Sequence, residues 1–225
     1  MKNLLQFFEI SKIKRITYRE DINGLRGIAV FSVVLYHADL NFIKGGWLGV
    51  DIFFVISGFL ISNIIISDLN ENRFSFKSFY IKRAKRILPA LLSTLLFTVP
   101  MAYWLLSPIA MQGYIDSLLA SIFFYSNFYF QNLDFYIAES TKFMPLMHTW
   151  SLAIEEQFYI VFPIIIFLIF KYYKNHFTKI VFIFFFTSLF LNTLTKDVIK
   201  FYQLQFRLWE LLLGVIVMIV SSNIN

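Results

Sequence analysis

Residues 87–115 read ILPALLSTLLFTVPMAYWLLSPIAMQGYI, a stretch of 29 residues without a charged side chain. A helix needs ~20 mostly apolar residues to cross a hydrocarbon core of ~30 Å, and this stretch exceeds that length. The rest of the chain has the same character. Of 225 residues, 58% are hydrophobic and only 15% are charged; soluble domains average about 45–50% and ~25%. Aromatic residues make up 20% of the chain, and 29 of them are Phe. A soluble domain of this length would need far more polar surface, and a disordered chain far fewer apolar residues. These numbers predict an all-α, polytopic transmembrane helical bundle. Cysteine is absent, which excludes disulfides, thiolate zinc sites and Cys nucleophiles. The histidines His37, His148 and His176 are too scattered for a metal cluster, so no metal is expected. The net charge of +6 fits cytoplasmic Lys and Arg next to membrane spans better than a nucleic-acid partner.

Six windows have the length and composition of spans. They are Gly27 to about Ile43, Leu48–Ser67, the stretch beginning at Ile87, about Leu152–Phe170, Ile180–Thr195 and Leu208–Val220. Residues 109–130 carry Gln112, Asp116, Ser117, Ser121, Ser126 and Asn127. They read better as a re-entrant or interfacial segment than as a seventh crossing, because a lipid-facing helix would not hold so many polar groups. Lys and Arg divide 15 inside to 5 outside with six spans and 16 to 4 with seven. Both schemes put the N-terminus and a 70–86 loop in the cytoplasm. The segment ahead of Gly27 is charged throughout and does not resemble a cleavable leader. With no repeat or Pro/Gly-rich linker, residues 1–225 read as one membrane domain.

Ionisable residues inside apolar windows are candidates for chemistry, since burying one costs at least ~2.5–3.5 kcal/mol. Arg26 and His37 bracket most of the first window. On a helix their spacing is about 20° past three turns and a rise of ~16.5 Å, so both share one face. A cation at the mouth and an imidazole past the midplane could hold a long thioester with an anionic head; a plain anchor and a helix-packing histidine are the alternative. A second group, His148-Thr149-Trp150-Ser151 followed by Glu155 and Glu156, reads as a site for a hydroxyl-rich ligand or as a packing network. Thr149 or Ser151 could cap a helix with the two glutamates in its first turn. His148 and Glu155 share a face if that helix begins early enough. Arg207 and Glu210, spaced i,i+3, are explained by an intrahelical ion pair. The 70–86 run carries Arg73, Lys77, Lys82, Arg83, Lys85 and Arg86 against Glu71, and alone reads as a positive-inside anchor.

Asn23-Gly24-Leu25-Arg26-Gly27, followed by Tyr36-His37, resembles the opening of the acyltransferase 3 family of membrane-bound O-acyltransferases, whose signature is an Arg, ten residues and a His. Gly49 to Ile61 looks like that family's second-span motif. Phe79 to Ala90 is similar to its basic cytoplasmic motif, with Lys82 and Lys85 where Arg is common. His148–Tyr159 and Phe206–Leu211 also match, so five motifs occur in order. The resemblance implies transfer of an acyl group, usually acetyl, from cytoplasmic acyl-CoA to a hydroxyl of a cell-envelope polysaccharide. It implies catalysis by His37 and donor engagement by Arg26. Lys82, Arg83 and Arg86 would meet the CoA phosphates, although Lys lacks the bidentate fork of Arg. His148, Glu155 and Glu156 would bind the glycan. Family members have about ten spans, so a chain ending just after Val220 reads as C-terminally incomplete. The expected setting is a bacterial inner membrane with the N-terminus inside, acyl-CoA, glycan and lipid as partners, and no nucleic acid. Two other readings fit the same residues. One is a transporter with a proton relay, and the other is an inactive fragment acting as a membrane interaction module.

Overall fold

A computed structural model describes residues 10, 13–16, 19–38, 44–133 and 144–224. Among these the chain is helical without strands. In chain order the helices are α1 (Glu20–His37), α2 (Leu48–Asn70), α3 (Phe76–Leu105), α4 (Pro108–Ile122), α5 (Ser126–Gln131), α6 (Thr149–Tyr173), α7 (Phe177–Leu194), α8 (Asp197–Tyr202) and α9 (Leu204–Ile224). A 3-10 turn, Lys174–His176, joins α6 to α7. Among the described residues, four helical runs are long and apolar enough to cross a membrane: Leu48–Asn70, Phe76–Leu105, Thr149–Leu194 and Leu204–Asn223. The third of these holds both α6 and α7, and so two of the expected windows.

Three boundaries differ from the sequence reading. α1 begins at Glu20, well ahead of the apolar window, because Glu20 and Asp21 in its first turn complement the helix dipole. Arg19 holds Asp21 through paired bonds of 2.8 Å and 2.5 Å, and this bond draws the Asp21 carboxyl down to about 2. The tail of the first window, residues 39–43, lies outside the described residues. The basic run is no loop. α2 ends at Asn70, and α3 starts at Phe76 with Ser75 accepting from the Ser78 N–H at its cap. Lys and Arg are good helix formers, and charge excludes them from hydrocarbon without excluding them from a helix. α6 starts at Thr149, so Glu155 and Glu156 fall in its second turn or beyond, and the first-turn capping reading fails.

The chain divides into two compact units. The first comprises residues 1–74, 159–195 and 205–225, and the second residues 75–158 and 196–204. In the first unit, glycines let helices meet at backbone distance, the usual device where lipid offers no hydrophobic driving force. A Cβ on Gly49 would stand 2.4 Å from the Ala29 carbonyl oxygen, and one on Gly46 2.2 Å from that of Ser32, so the start of α2 packs directly on α1. α2 and α9 interlock in the same way. A Cβ on Gly58 would lie 1.8 Å from the Leu211 carbonyl oxygen, and one on Gly214 2.0 Å from that of Val55. Asparagines at the far end of α2 hold the segment before α1. Asn63 accepts from the Ile16 N–H at 2.9 Å and donates to the Lys14 carbonyl at 3.0 Å. Asn70 donates to the Ile10 carbonyl at 2.7 Å.

In the second unit, α4 runs back along α3. Ser107 caps it, Pro108 opens it, and Tyr114 meets Thr98 at 2.9 Å. Leu91, Leu95, Ala102, Tyr114 and Leu146 form the core between them. From Pro108 to Ile122, α4 makes roughly four turns, too few to cross a bilayer. The chain turns at 123–125, where Phe124 takes a φ of 55°. α5 then folds back along α4, and the Tyr129 hydroxyl donates to the Gly113 carbonyl at 3.0 Å. Four polar residues of this stretch face inward, Ser117, Ser121, Ser126 and Asn127 being buried, whereas Gln112 and Asp116 are exposed.

Candidate active site

In the first unit, Arg26 and His37 stand on α1 as their spacing requires, His37 being its last residue. The His37 Nδ1 lies 2.9 Å from the Val33 carbonyl oxygen. A carbonyl only accepts, so this hydrogen bond requires the proton on Nδ1 and leaves the lone pair of the neutral ring on Nε2. Tyr36 packs edge-on against the imidazole at 5.3 Å. The ring is exposed and Arg26 half-buried. Gly46 and Gly49 bring the start of α2 against residues 29–36 of the same helix, so the imidazole sits beside a tightly packed backbone.

A second charged group in this unit is only partly legible in the sequence. Arg207 and Glu210 do form the i,i+3 pair, with Nη1 3.1 Å from Oε1. The other guanidinium nitrogen, Nη2, bonds Asp51 of α2, and the guanidinium carbon stands 5.5 Å above the Phe54 ring. Arg207 and Glu210 are buried. The cluster therefore ties α9 to α2 near the Gly58–Leu211 contact. Ser188 and Asn192 of α7 add hydrogen bonds to the first turn of α9, at the carbonyls of Gln205 and Phe206.

In the second unit, the basic motif splits by helix face. Lys82 and Arg86, four apart, share an exposed face of α3 with Lys85 beside them. Arg83 turns the other way. It is half-buried with its guanidinium 5.9 Å from the Phe79 ring, and its charge acts on Glu156. Glu156 is half-buried beside Glu155, and its Oε1 is buried with no hydrogen-bond partner among the described residues. Leu152 packs against the cluster of Leu91, Leu95, Ala102, Tyr114 and Leu146, and the charge of Arg83 acts on Glu156. One residue assigned to the donor and one assigned to the glycan thus influence each other electrostatically. His148 is exposed in the turn before α6, and Ser151 donates to its carbonyl at 3.1 Å. It precedes the helix, so spacing alone does not put it on a face with Glu155.

Behind these residues is a network the sequence signals only as polar atoms in an apolar stretch. Gln157 donates to Asn127 Oδ1 at 2.8 Å and to the Phe124 carbonyl at 3.1 Å. Asn127 donates to the Tyr202 carbonyl at 3.0 Å, and Ser121 meets Thr149 at 2.8 Å. Among the described residues no group of three His, Cys, Asp or Glu could hold a metal ion.

Comparison with known proteins bears on the same residues. The model of the acyltransferase 3 family, described as an acyltransferase domain, matches residues 19–222. A Staphylococcus aureus (strain MSSA476) protein provisionally named an O-acetyltransferase is 40% identical over 215 residues, which cover 92% of this chain and 35% of that protein. The peptidoglycan O-acetyltransferase OatA of Listeria monocytogenes is 37% identical over 161 residues, 70% of this chain and 26% of its own. The O-acetyltransferase OatA of S. aureus (strain NCTC 8325 / PS 47) is 35% identical over 181 residues, 79% and 30% respectively. The chain thus spans about a third of the length of these relatives. No solved structure matches it. A match running through both units, from the helix of Arg26 and His37 to the helix of Arg207 and Glu210, shows that the chain belongs to the acyltransferase 3 family.

Proposed function

We propose that the chain is the acyl-transferring part of a multi-pass O-acetyltransferase of the bacterial cytoplasmic membrane. It would move an acetyl group from acyl-CoA, entering at the cytoplasmic face, to a hydroxyl of a cell-wall glycan. The Listeria monocytogenes relative named a peptidoglycan O-acetyltransferase supports the acceptor class. The distribution of Lys and Arg supports a cytoplasmic N-terminus and α2–α3 turn. With α4 and α5 forming a re-entrant hairpin, six spans follow, and the head of α6 and α8 lie on the outer side.

The observation that carries this reading is the tautomer fixed at His37. With Nδ1–H bonded to the Val33 carbonyl, the lone pair on Nε2 would take the proton of the acceptor hydroxyl. The hydroxyl oxygen then attacks the thioester carbonyl, the C–S bond breaks, and the proton passes from Nε2 to the leaving thiolate. Arg26, three turns away at ~16.5 Å, meets the anionic head of the donor, and Lys82 and Arg86 add positive charge at the cytoplasmic surface. Glu156 offers an orphaned buried oxygen to a glycan hydroxyl. Glu155 and His148 would bind the glycan beside it.

His37→Ala tests the reading. Acetylation of cell-wall glycan, measured in membranes and in a strain lacking the native gene, should fall by ~10²–10⁴-fold. Membrane insertion should survive, because removing a polar group does not raise its cost. Transfer near the native level would remove His37 from the chemistry.

A further inference from the structure

We propose that Tyr36 is a positioning residue for acyl transfer, its ring holding the His37 imidazole in the tautomer and rotamer that can act as a base. The proposal rests on the O-acetyltransferase reading and adds what keeps the base in place.

The hydrogen bond between His37 Nδ1 and the Val33 carbonyl, at 2.9 Å, fixes one corner of the imidazole. The ring itself is exposed. A hydrogen bond at a surface competes with water and returns little more than the rotamer freedom it costs. Turning the ring over about its bond to Cβ would break it and present a carbon to Val33. An imidazole surrounded by water also prefers its proton on Nε2. In that form Nε2 has no lone pair and takes up no proton. The base form therefore needs a second contact to persist on an exposed ring.

Tyr36 supplies that contact. Its ring stands at 89° to the imidazole with the centroids 5.3 Å apart, the edge-to-face arrangement that aromatic pairs favour. Tyr36 is held in its turn. A Cβ on Gly46 would stand 2.7 Å from the Tyr36 Cβ and 2.2 Å from the Ser32 carbonyl oxygen. The backbone at Gly46 thus lies against the root of the tyrosine side chain. Ser32 Oγ lies 3.4 Å from the Gly46 carbonyl oxygen, beside the same contact. Backbone so close to Cβ narrows the choice of χ1 rotamers for Tyr36. Contacts therefore run from the turn ahead of α2 through Tyr36 to the imidazole. They use the ring of Tyr36 and not its hydroxyl, so Phe can replace it. The competing role is an aromatic anchor at the membrane interface, which would leave His37 untouched.

The test is nitrogen NMR of the full chain, carrying isotope-labelled histidine, in lipid bilayers, alongside acetyl transfer in the same membranes. Spectra are taken at about pH 9, well above the ordinary imidazole value. The chain has three histidines, and His37→Ala identifies the signals of residue 37. The native chain should show a protonated Nδ1 and an unprotonated Nε2. Tyr36→Ala should lower the ratio of that form to the Nε2–H form by about two- to twelvefold, the range an aromatic pair supplies. Its kcat should fall by up to the same factor, with the KM of donor and acceptor unchanged. Tyr36→Phe should restore both the ratio and kcat. An unchanged ratio in Tyr36→Ala, or no recovery in Tyr36→Phe, overturns the proposal and leaves an interfacial anchor. The two proposals fail separately. A ratio that depends on residue 36 in a native chain without acetyl transfer would sink the O-acetyltransferase reading and keep the Tyr36 contact. Transfer by the native chain, with ratio and kcat unmoved in Tyr36→Ala, would do the reverse.

Discussion

Replacing Arg207 with Met keeps the length of the side chain and deletes its charge. The native guanidinium sits between two carboxylates, bonded to Asp51 and 3.1 Å from Glu210, with Phe54 beneath it. Glu210 is fully buried, so without Arg207 its charge has neither water nor a cation. Breaking such a buried pair on one side costs about 3–5 kcal/mol. Asp51 weighs less in this sum, because its side chain is partly exposed and solvent screens it. At roughly 2–4 °C per kcal/mol for a chain of this size, Tm should fall by about 6–20 °C. The triple variant Asp51→Leu, Arg207→Met, Glu210→Met should recover most of the loss, since an apolar replacement of a whole buried cluster is often neutral. Thermal unfolding of the purified proteins in one detergent, followed by intrinsic fluorescence, compares the three. A drop under about 2 °C for Arg207→Met, or a triple variant no better than the single one, would show that the cluster is not what joins α9 to α2.

Four further outcomes follow from the geometry. Cysteines at Ser75 and Ser78, both exposed at the start of α3, should resist a membrane-impermeant thiol reagent in intact cells and label after lysis; ready labelling in intact cells would invert the orientation. Arg26→Ala should raise the donor KM and leave kcat nearly unchanged, as loss of a contact made equally in ground and transition states does. Arg26→Lys should restore part of the affinity, and a collapse of kcat instead would put Arg26 in the chemical step. Gly49→Val should destabilise the chain by several kcal/mol through backbone and side-chain clashes with Ala29 and Val33, seen as lower yield and Tm; native-like stability would mean α1 is free to move off α2. Gln157→Leu strands the Phe124 carbonyl and the Asn127 oxygen, at about 1–3 kcal/mol for each buried group left unsatisfied, measurable by the same unfolding assay.

The sequence shows which residues carry charge into apolar surroundings, because a missing or present charge is visible one residue at a time. Spacing alone puts Arg26 and His37 on one face. The helix boundaries are harder to read. Counting apolar residues hides Glu20, Asp21 and the Lys77–Arg86 run, all of which are helical. Contacts across long separations leave no trace. Asp51 and Arg207 are 156 residues apart in sequence, and each has a local explanation, a first-turn acid and an i,i+3 partner. Proximity in sequence groups Arg83 with Lys82 and Arg86, yet one residue along a helix is a rotation of about 100°, enough to turn it toward Glu156. The amide network needs the hairpin of α4 and α5, whose turn depends on Phe124 adopting a positive φ that its residue type does not announce.

The interlocked glycines of α2 and α9 have a consequence for how this chain can change over time. A crowded side chain can usually be relieved by a smaller neighbour elsewhere. Here the obstacle facing position 58 is the Leu211 carbonyl oxygen, and the obstacles facing position 214 are backbone atoms of Val55 and Phe59. Whatever residue occupies 55, 59 or 211, those atoms remain. No second substitution at the contact can therefore make room for Ala at 58 or 214. Suppressors of such a change would have to lie where they let a whole helix slide, and a selection for them should recover sites along the outer faces of α2 and α9 rather than partners across the contact.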